Sequence, residues 1–327
     1  QVDAEGVPVN LTPEGLPLES LTGDMFLQRQ LEASMAYSSR NSDHVLVCYN
    51  DYGPVNIPDD ETLGGNPDAL ADGGHFLDQW YREILGQPQG ELPAQAAASD
   101  AWISCSWSED GGQTFSGFIL PGSQVDTSPA STSAPIHGRL AATDPVLASG
   151  PCGYFHLIGL GFTRGAESDM FVASFRDNNN IEGGGRSLEY LGMTVAESGN
   201  NADEGFFVDK PHTAVQSLND PSDPCAHVVH GSYTTFNGKA KGVQFQSKVT
   251  HIKAEVGDTF PAGGLSFQLQ KLNQPFNQNQ GTRIVVDPVI PGKVHLLWRS
   301  FFDPDTILHT SSDDYGDSFK GKPKDIL

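Results

Sequence analysis

Ser108-Glu109-Asp110-Gly111-Gly112-Gln113-Thr114-Phe115 reads as a tight turn that closes one strand and opens the next. Ser108 and Asp110 carry short oxygen-bearing side chains that bond nearby backbone N–H groups and fold the turn. Gly111 and Gly112 supply the positive φ that other residues resist. Phe115 is the apolar anchor of the strand that follows. The pattern returns as Ser312-Asp313-Asp314-Tyr315-Gly316-Asp317-Ser318-Phe319. A worn copy, Lys253-Ala254-Glu255-Val256-Gly257-Asp258-Thr259-Phe260, lies between them, with Lys in place of Ser and Glu in place of Asp. The worn copy and the last copy are about 60 residues apart, a spacing that points to repeats.

Outward from these turns the chain alternates short apolar, β-branched segments with polar turns. It divides into passages at 26–122, 140–198, 205–273 and 281–327, after an irregular lead-in at 1–25. The strands expected in the first are 31–38, 44–49, 101–107 and 115–120. In the second they are 144–148, 154–162, 170–175 and 187–195. In the third they are 211–216, 226–235, 243–253 and 265–272. In the fourth they are 283–286, 294–301, 307–311 and a terminal strand from Phe319. Four-stranded units recurring every 60–70 residues or so have the form of propeller blades. The fold expected is therefore all-β, a β-propeller with one helical insertion. That insertion, 52–97, interrupts the first unit; Phe76, Leu77, Trp80, Tyr81, Ile84 and Leu85 form a helical stripe that Gly86 closes.

The turns at Ser108, Asp110, Gly112 and Phe115, and at Ser312, Asp314, Gly316 and Phe319, resemble the Asp-box, or BNR repeat, S-x-D-x-G-x-T-[FW], of sialidases and sialidase-like β-propellers. The resemblance speaks to architecture more than to activity, because the box is a structural turn that non-sialidase propellers also carry. The sialidase family uses six blades. It thus implies a larger ring, with further blades on sequence outside this stretch or on a second chain; a closed four-bladed ring is the alternative. In that family the active site lies around the axis on the face away from the boxes. Three Arg there hold the sugar acid, a Tyr acts as nucleophile with a Glu, and an Asp is the acid/base.

The boxes follow third strands, so the opposite face collects the starts of first strands and the ends of second strands. Arg29, Glu32, Asp51, Tyr52, Asp144, Arg164, Asp209, Lys210, His212, Arg283, Arg299 and Asp303 fall there. With only nine Arg in the chain, the placing of Arg29, Arg164, Arg283 and Arg299 on one face suits a carboxylate clamp. The candidate ligand-binding set is Arg29, Asp144, Arg164, Lys210, Arg283 and Arg299. The family's F/Y-R-I-P signature is absent, no nucleophilic Tyr with its Glu is recoverable, and catalytic residues stay unassigned.

Composition narrows the partners. The 327 residues carry a net charge of −22, a surface that repels nucleic acid and anionic membranes. No apolar run reaches the roughly 18–20 residues that span a bilayer. Cys48, Cys105, Cys152 and Cys225 lack CxxC spacing, which leaves four buried thiols or two disulfides. Cys152 and Cys225 occupy matching turns in adjacent blades, and Cys48 and Cys105 lie on adjacent strands of one, so those are the candidate pairs. His227 and His230 point to opposite sides of a strand and do not share a metal. No cofactor motif is evident; Asp59, Asp60 and Glu61, and Asp177 with Asn178 to Asn180, are the acidic loops that would take calcium. The favoured reading is a secreted, periplasmic or cell-surface propeller that binds a glycan or other extracellular ligand. An exo-acting sialidase-type glycoside hydrolase and an assembly component pairing through blade edges are the alternatives.

Overall fold

The structure is a computed structural model that describes residues 30–51, 101–123, 126, 128–163, 167–179, 187–200, 206–237, 246–272, 279–301, 306–321 and 323–326. The lead-in at 1–25 and the insertion at 52–97, with its expected helix, lie outside the described residues.

Four antiparallel four-stranded sheets follow one another along the chain. Blade 1 is β1 (Gln30–Tyr37), β2 (Val45–Asp51), β3 (Trp102–Ser108) and β4 (Ser116–Ile119). Blade 2 is β5 (Ala141–Ser149), β6 (Tyr154–Phe162), β7 (Glu167–Asp177) and β8 (Leu188–Asn200). Blade 3 is β9 (Phe206–Ser217), β10 (His227–Asn237), β11 (Gln246–Val256) and β12 (Gln268–Lys271). Blade 4 is β13 (Asn279–Val286), β14 (Val294–Ser300), β15 (Thr306–Ser312) and the short β16 (Lys324–Asp325). A single helical turn, α1 (Pro129–Thr132), joins blades 1 and 2 and is capped by the Ser128 hydroxyl. Each sheet meanders from its first strand to its fourth, which is the plan of a β-propeller.

Burial shows how the blades stack. Residues of β6 are buried from Tyr154 to Gly161 without alternation, the mark of a strand covered on both faces. Phe155 and Leu157 enter a core shared with Leu46, Cys48 and Trp107 of blade 1. Tyr154, Ile158 and Leu160 enter a second core with Val229, Tyr233 and Ile252 of blade 3. A third core joins Val249 and Leu272 to Ile284, Leu296 and Trp298 of blade 4. By contrast β2 and β14 alternate buried and part-exposed residues, so each covers one face. On the other side of β1, Met35 and Tyr37 are 68% and 64% exposed.

The first strands of blades 2, 3 and 4 are longer than the sequence suggests, β1 has the expected length, and each of the four is broken by a bulge. The register slips between Leu31 and Ser34 in β1, Thr143 and Val146 in β5, Asp209 and His212 in β9, and Gln280 and Arg283 in β13. Inside each bulge sits one left-handed residue: Glu32, Asp144, Lys210 and Gly281. The Pro residues at 145 and 211 make these bulges look like strand starts, although pairing continues upstream to Ala141 and Phe206. Phe319, expected to open the terminal strand, opens none. Its ring packs edge-on against His251, 4.9 Å between centroids, and the last strand waits until Lys324.

The two repeated turns share one hydrogen-bond scheme. Ser108 Oγ accepts from Gly112 N at 2.8 Å and donates to Asp110 Oδ1 at 2.8 Å. Asp110 then accepts from Thr114 N and from the Thr114 hydroxyl, which draw its pKa down to about 2. In the last blade Ser312, Asp314, Gly316 and Ser318 repeat these contacts. There the same bonds outweigh desolvation and hold Asp314 at about 2. The worn copy has turned its odd residue to another use: Lys253 pairs with Asp317 of the last turn, tying blade 3 to blade 4.

Two disulfides complete the frame. Cys48 and Cys105 bridge directly paired positions of β2 and β3. Cys152 and Cys225 staple blade 2 to blade 3. Beside that staple, His227 Nδ1 donates to the Cys225 carbonyl at 2.7 Å, leaving Nε2 to accept from His156 Nε2 at 2.8 Å. His230 instead meets His251 at 3.2 Å, so His227 and His230 serve separate contacts.

Desolvation keeps all four of these rings neutral: His156 and His251 fall well below the usual value, His230 to about 3, and His227 is lowered. A depressed His pKa means the folded state binds fewer protons, so its contribution is intact above the unfolded value of about 6.5 and is lost as pH falls. Asp144, whose pKa is raised, acts in the opposite sense but is outnumbered. The urea midpoint should therefore drop between pH 6.5 and pH 4; a level or rising midpoint would contradict the burial of these rings. Replacing Cys152 and Cys225 together by Ala should cost about 2–4 kcal/mol in the same assay, since the bridge closes a long loop.

Candidate binding site at the bulges of the inner strands

The bulges bring charged side chains from three blades together. Lys210 Nζ lies 3.2 Å from Glu32 Oε1 and 3.2 Å from Asp144 Oδ2. The carboxyls of Glu32 and Asp144 are hydrogen-bonded to each other, and Asp209 bonds to Asp144 as well. Asp209 Oδ1 also accepts from Lys210 N at 2.7 Å. A left-handed backbone turns Glu32, Asp144 and Lys210 out of the sheet alternation, which is how successive inner strands can aim at one place. The bulges lie near the starts of the first strands, on the side away from the Ser108 and Ser312 turns.

Asn50, buried at the end of β2, fixes the arrangement. Its Nδ2 donates to Glu32 Oε2 at 2.9 Å and its Oδ1 accepts from Asp144 N at 2.9 Å. Ser34 Oγ likewise accepts from Leu147 N, which locks the same two strands beyond their bulges. On the blade 3 side, His212 Nδ1 accepts from Ile284 N at 3.4 Å. Desolvation, helped by the Arg283 charge, lowers His212 to about 4.

The electrostatics separate the two coupled carboxyls. Desolvation and the bond to Glu32 push Asp144 up to about 8, against the pull of Lys210. The bond from Asp144 holds Glu32 below its usual value, with Lys210 and Asn50 adding to it against its own desolvation. Near neutrality the pair thus shares one proton, carried on Asp144. Desolvation also raises Asp209. Lys210 is pulled down by burial but lifted further by Asp144 and Glu32, so it stays charged. Lys210 and Glu32 are 43% and 46% exposed, whereas Asp144 is 12% exposed. An ammonium and a carboxylate therefore face solvent beside a less exposed acid.

Of the candidate ligand-binding residues, the structure brings Asp144 and Lys210 together. Arg29 and Arg164 lie outside the described residues, as do Tyr52 and Asp303. Arg283 is turned to its own strand, NH1 donating to the Thr282 carbonyl at 2.9 Å. Arg299 lies over the Phe301 ring, 4.3 Å from its centroid. Among the described residues the charged groups that converge are thus acids and a lysine. Asn50 was not among the residues expected there; its only signal is a polar residue two positions beyond Cys48 that, with Asp51, ends an apolar strand. Of the calcium candidates, Asp59 to Glu61 lie outside the described residues. Asp177 has both oxygens committed, to His44 and to Asn179 N. No group of three or more metal-binding side chains occurs among the described residues.

No family model matches the chain, and no curated protein matches it. Several solved structures do. Trypanosoma rangeli sialidase in complex with the inhibitor DANA aligns over 98% of this chain and 40% of its own, at 9% identity and a TM-score of 0.46. Hadza microbial sialidase Hz136 aligns over 89% and 46%, at 11% identity and 0.43. The GH93 α-L-arabinofuranosidase of Fusarium graminearum with arabinobiose aligns over 90% and 66%, at 13% identity and 0.41. The chain spans less than two thirds of each of these three proteins.

Carboxyl carbon NMR tests the site directly. Asp144 should titrate near pH 8 and Glu32 below its ordinary value. In Lys210→Met both should move up, because the ammonium that favours their anions is gone. An Asp144 resonance already titrated by pH 5 would break the shared-proton description.

Proposed function

We propose that this protein is a secreted, sialidase-like Asp-box propeller that binds a glycan at Glu32, Asp144, Asp209 and Lys210. One observation carries the reading: three successive inner strands each deliver a charged side chain from the same left-handed bulge, and those side chains meet. Side by side, an exposed carboxylate and an exposed ammonium offer one acceptor and one donor set at a fixed spacing. That suits paired sugar hydroxyls. The matching hydrogen bonds of the Ser108 and Ser312 turns support the Asp-box kinship. The two disulfides support an oxidising compartment.

The balance of charge favours a neutral or amino sugar over a sugar acid. Glu32 is anionic, Lys210 cationic, and Asp209 adds a further carboxyl, so an incoming carboxylate meets at least as much repulsion as attraction. A hydrolase reading has its own support in Asp144. A carboxyl kept protonated near neutrality beside an ionised partner is the equipment of a general acid.

Binding to an array of neutral, amino and acidic glycans, alongside a fluorogenic sialoside, separates these readings. Asp144→Asn is the comparison, since Asn tolerates the left-handed backbone. The expected result is retention of neutral or amino glycans, weakened about tenfold or more in the variant, which corresponds to roughly 1.4 kcal/mol, with no sialoside turnover. Turnover that disappears in Asp144→Asn would establish the hydrolase. No glycan retained between pH 5 and pH 8 would overturn the proposal.

A further inference from the structure

The seams between blades repeat one arrangement: the turn after the third strand of a blade rests on the blade before it. Asp177, which ends β7, accepts from His44 of blade 1 at 2.9 Å. The Asp258 carbonyl, just beyond β11, accepts from the Tyr154 hydroxyl of blade 2 at 2.9 Å. Gly316 and Phe319, beyond β15, lie on the imidazoles of His230 and His251 in blade 3. Those two rings sit diagonally across β10 and β11, Nδ1 of His230 against Nε2 of His251 at 3.2 Å. His295 and His309 hold the same places on β14 and β15, and the same two nitrogens meet at 3.0 Å. The blade 3 pair is buried, with Gly316 so close that an added Cβ would come within 2.7 Å of the His251 ring. The blade 4 pair is part-exposed, and so is Ile307 beside it, although Val249, its counterpart in blade 3, is fully buried.

Blade 1 has the opposite deficit. Counted from the bulges, Met35 corresponds to Leu147 and Ile284, and its cross-strand partner Val47 corresponds to Leu157 and Leu296. Those four counterparts are buried in seam cores, whereas Met35 is 68% exposed and Val47 part-exposed. The blade 1 turn agrees: Gly112 is exposed, and Gly316, in the same place of the last turn, is buried. The two end faces are thus the two halves of the seam that blades 3 and 4 make with each other.

We propose that a second copy of this chain joins these halves: the turn at Gly112 and Phe115 of one copy lies on His295 and His309 of the other, with Met35 and Val47 against Val285 and Ile307. Ile284 and Leu296 pack in this way on Ala214 and Val249 within the chain. Charge permits the contact. Strands β13, β14 and β15 carry Arg283 and Arg299 and no acidic residue, so a copy of net charge −22 meets no carboxylate from them. Because the faces differ, the contact is head-to-tail, and two copies close on each other through two equivalent seams. The inference is independent of the glycan reading.

Light scattering on the intact chain over a dilution series should give twice the 35.1 kDa mass, falling to the single chain at the dilute end. Met35→Glu spoils the blade 1 face and Val285→Glu the blade 4 face; the second position is 50% exposed, so both variants should keep the parent melting temperature. A glutamate buried in the seam should raise the dissociation constant about tenfold or more in each variant. Mixing the two variants leaves one intact seam per pair, so the mixture should associate more tightly than either alone, a rescue that misfolding would not give. Should a glutamate variant fail to fold, Met35→Ser and Val285→Ser make the same comparison. An intact chain that stays monomeric throughout would overturn the proposal. So would a dimer that responds to neither face, or to one face alone, which would mark a different contact. Assemblies larger than the pair would overturn the two-fold closure.

Discussion

Burial of blade 2 on both faces is the constraint from which the other features follow. Phe155 and Leu157 point into one neighbour while Tyr154, Ile158 and Leu160 point into the other. Sheets stacked in this way bring their first strands close together, because each twisted blade converges on the inner edge. A regular strand there would alternate its side chains between two packed cores and leave none to face the axis. The bulge resolves the conflict. One extra residue per inner strand leaves the alternation, takes the left-handed region, and projects between the blades. The polar cluster of Glu32, Asp144 and Lys210 is a product of the same geometry that builds the apolar cores.

The outer parts of the blades obey a different economy. The repeated turns close third strands with side-chain oxygens that satisfy backbone N–H groups, at Ser108 and Asp110 and again at Ser312 and Asp314. Where the motif has decayed, Lys253 substitutes an inter-blade ion pair. The His156–His227 contact and the Cys152–Cys225 bridge lie on the one seam between blades 2 and 3, so that seam is joined by polar and covalent links as well as by apolar packing.

Much of this architecture could be read from residue order. The turns were visible because Ser, Asp and Gly at fixed offsets have one mechanical use. The strands were visible because apolar content and turn spacing repeat. The inner bulges were hidden: Asp144-Pro145 and Lys210-Pro211 look like strand boundaries, since the residue before Pro is normally extended and a bulge is defined by the partner strand. The site was half legible for the same reason. Asp144 and Lys210 were identifiable as residues near first-strand starts, but their meeting with Glu32, and the brace from Asn50, depend on how blades pack. Of the arginines expected on that face, Arg283 donates to the Thr282 carbonyl and Arg299 lies over the Phe301 ring, contacts that residue order does not reveal.

The left-handed bulges also carry an evolutionary signature that a stability screen would register. A non-glycine residue at positive φ costs the fold free energy, of the order of 1 kcal/mol at each position. Glycine at 144 or 210 would relieve that cost while erasing an ionisable side chain. In an unbiased selection for thermal robustness alone, those positions should drift toward glycine, whereas Ser108 and Asp110 should hold. Opposite drift at residues of equal local regularity would distinguish the part of the molecule kept for its own cohesion from the part kept at cohesion's expense.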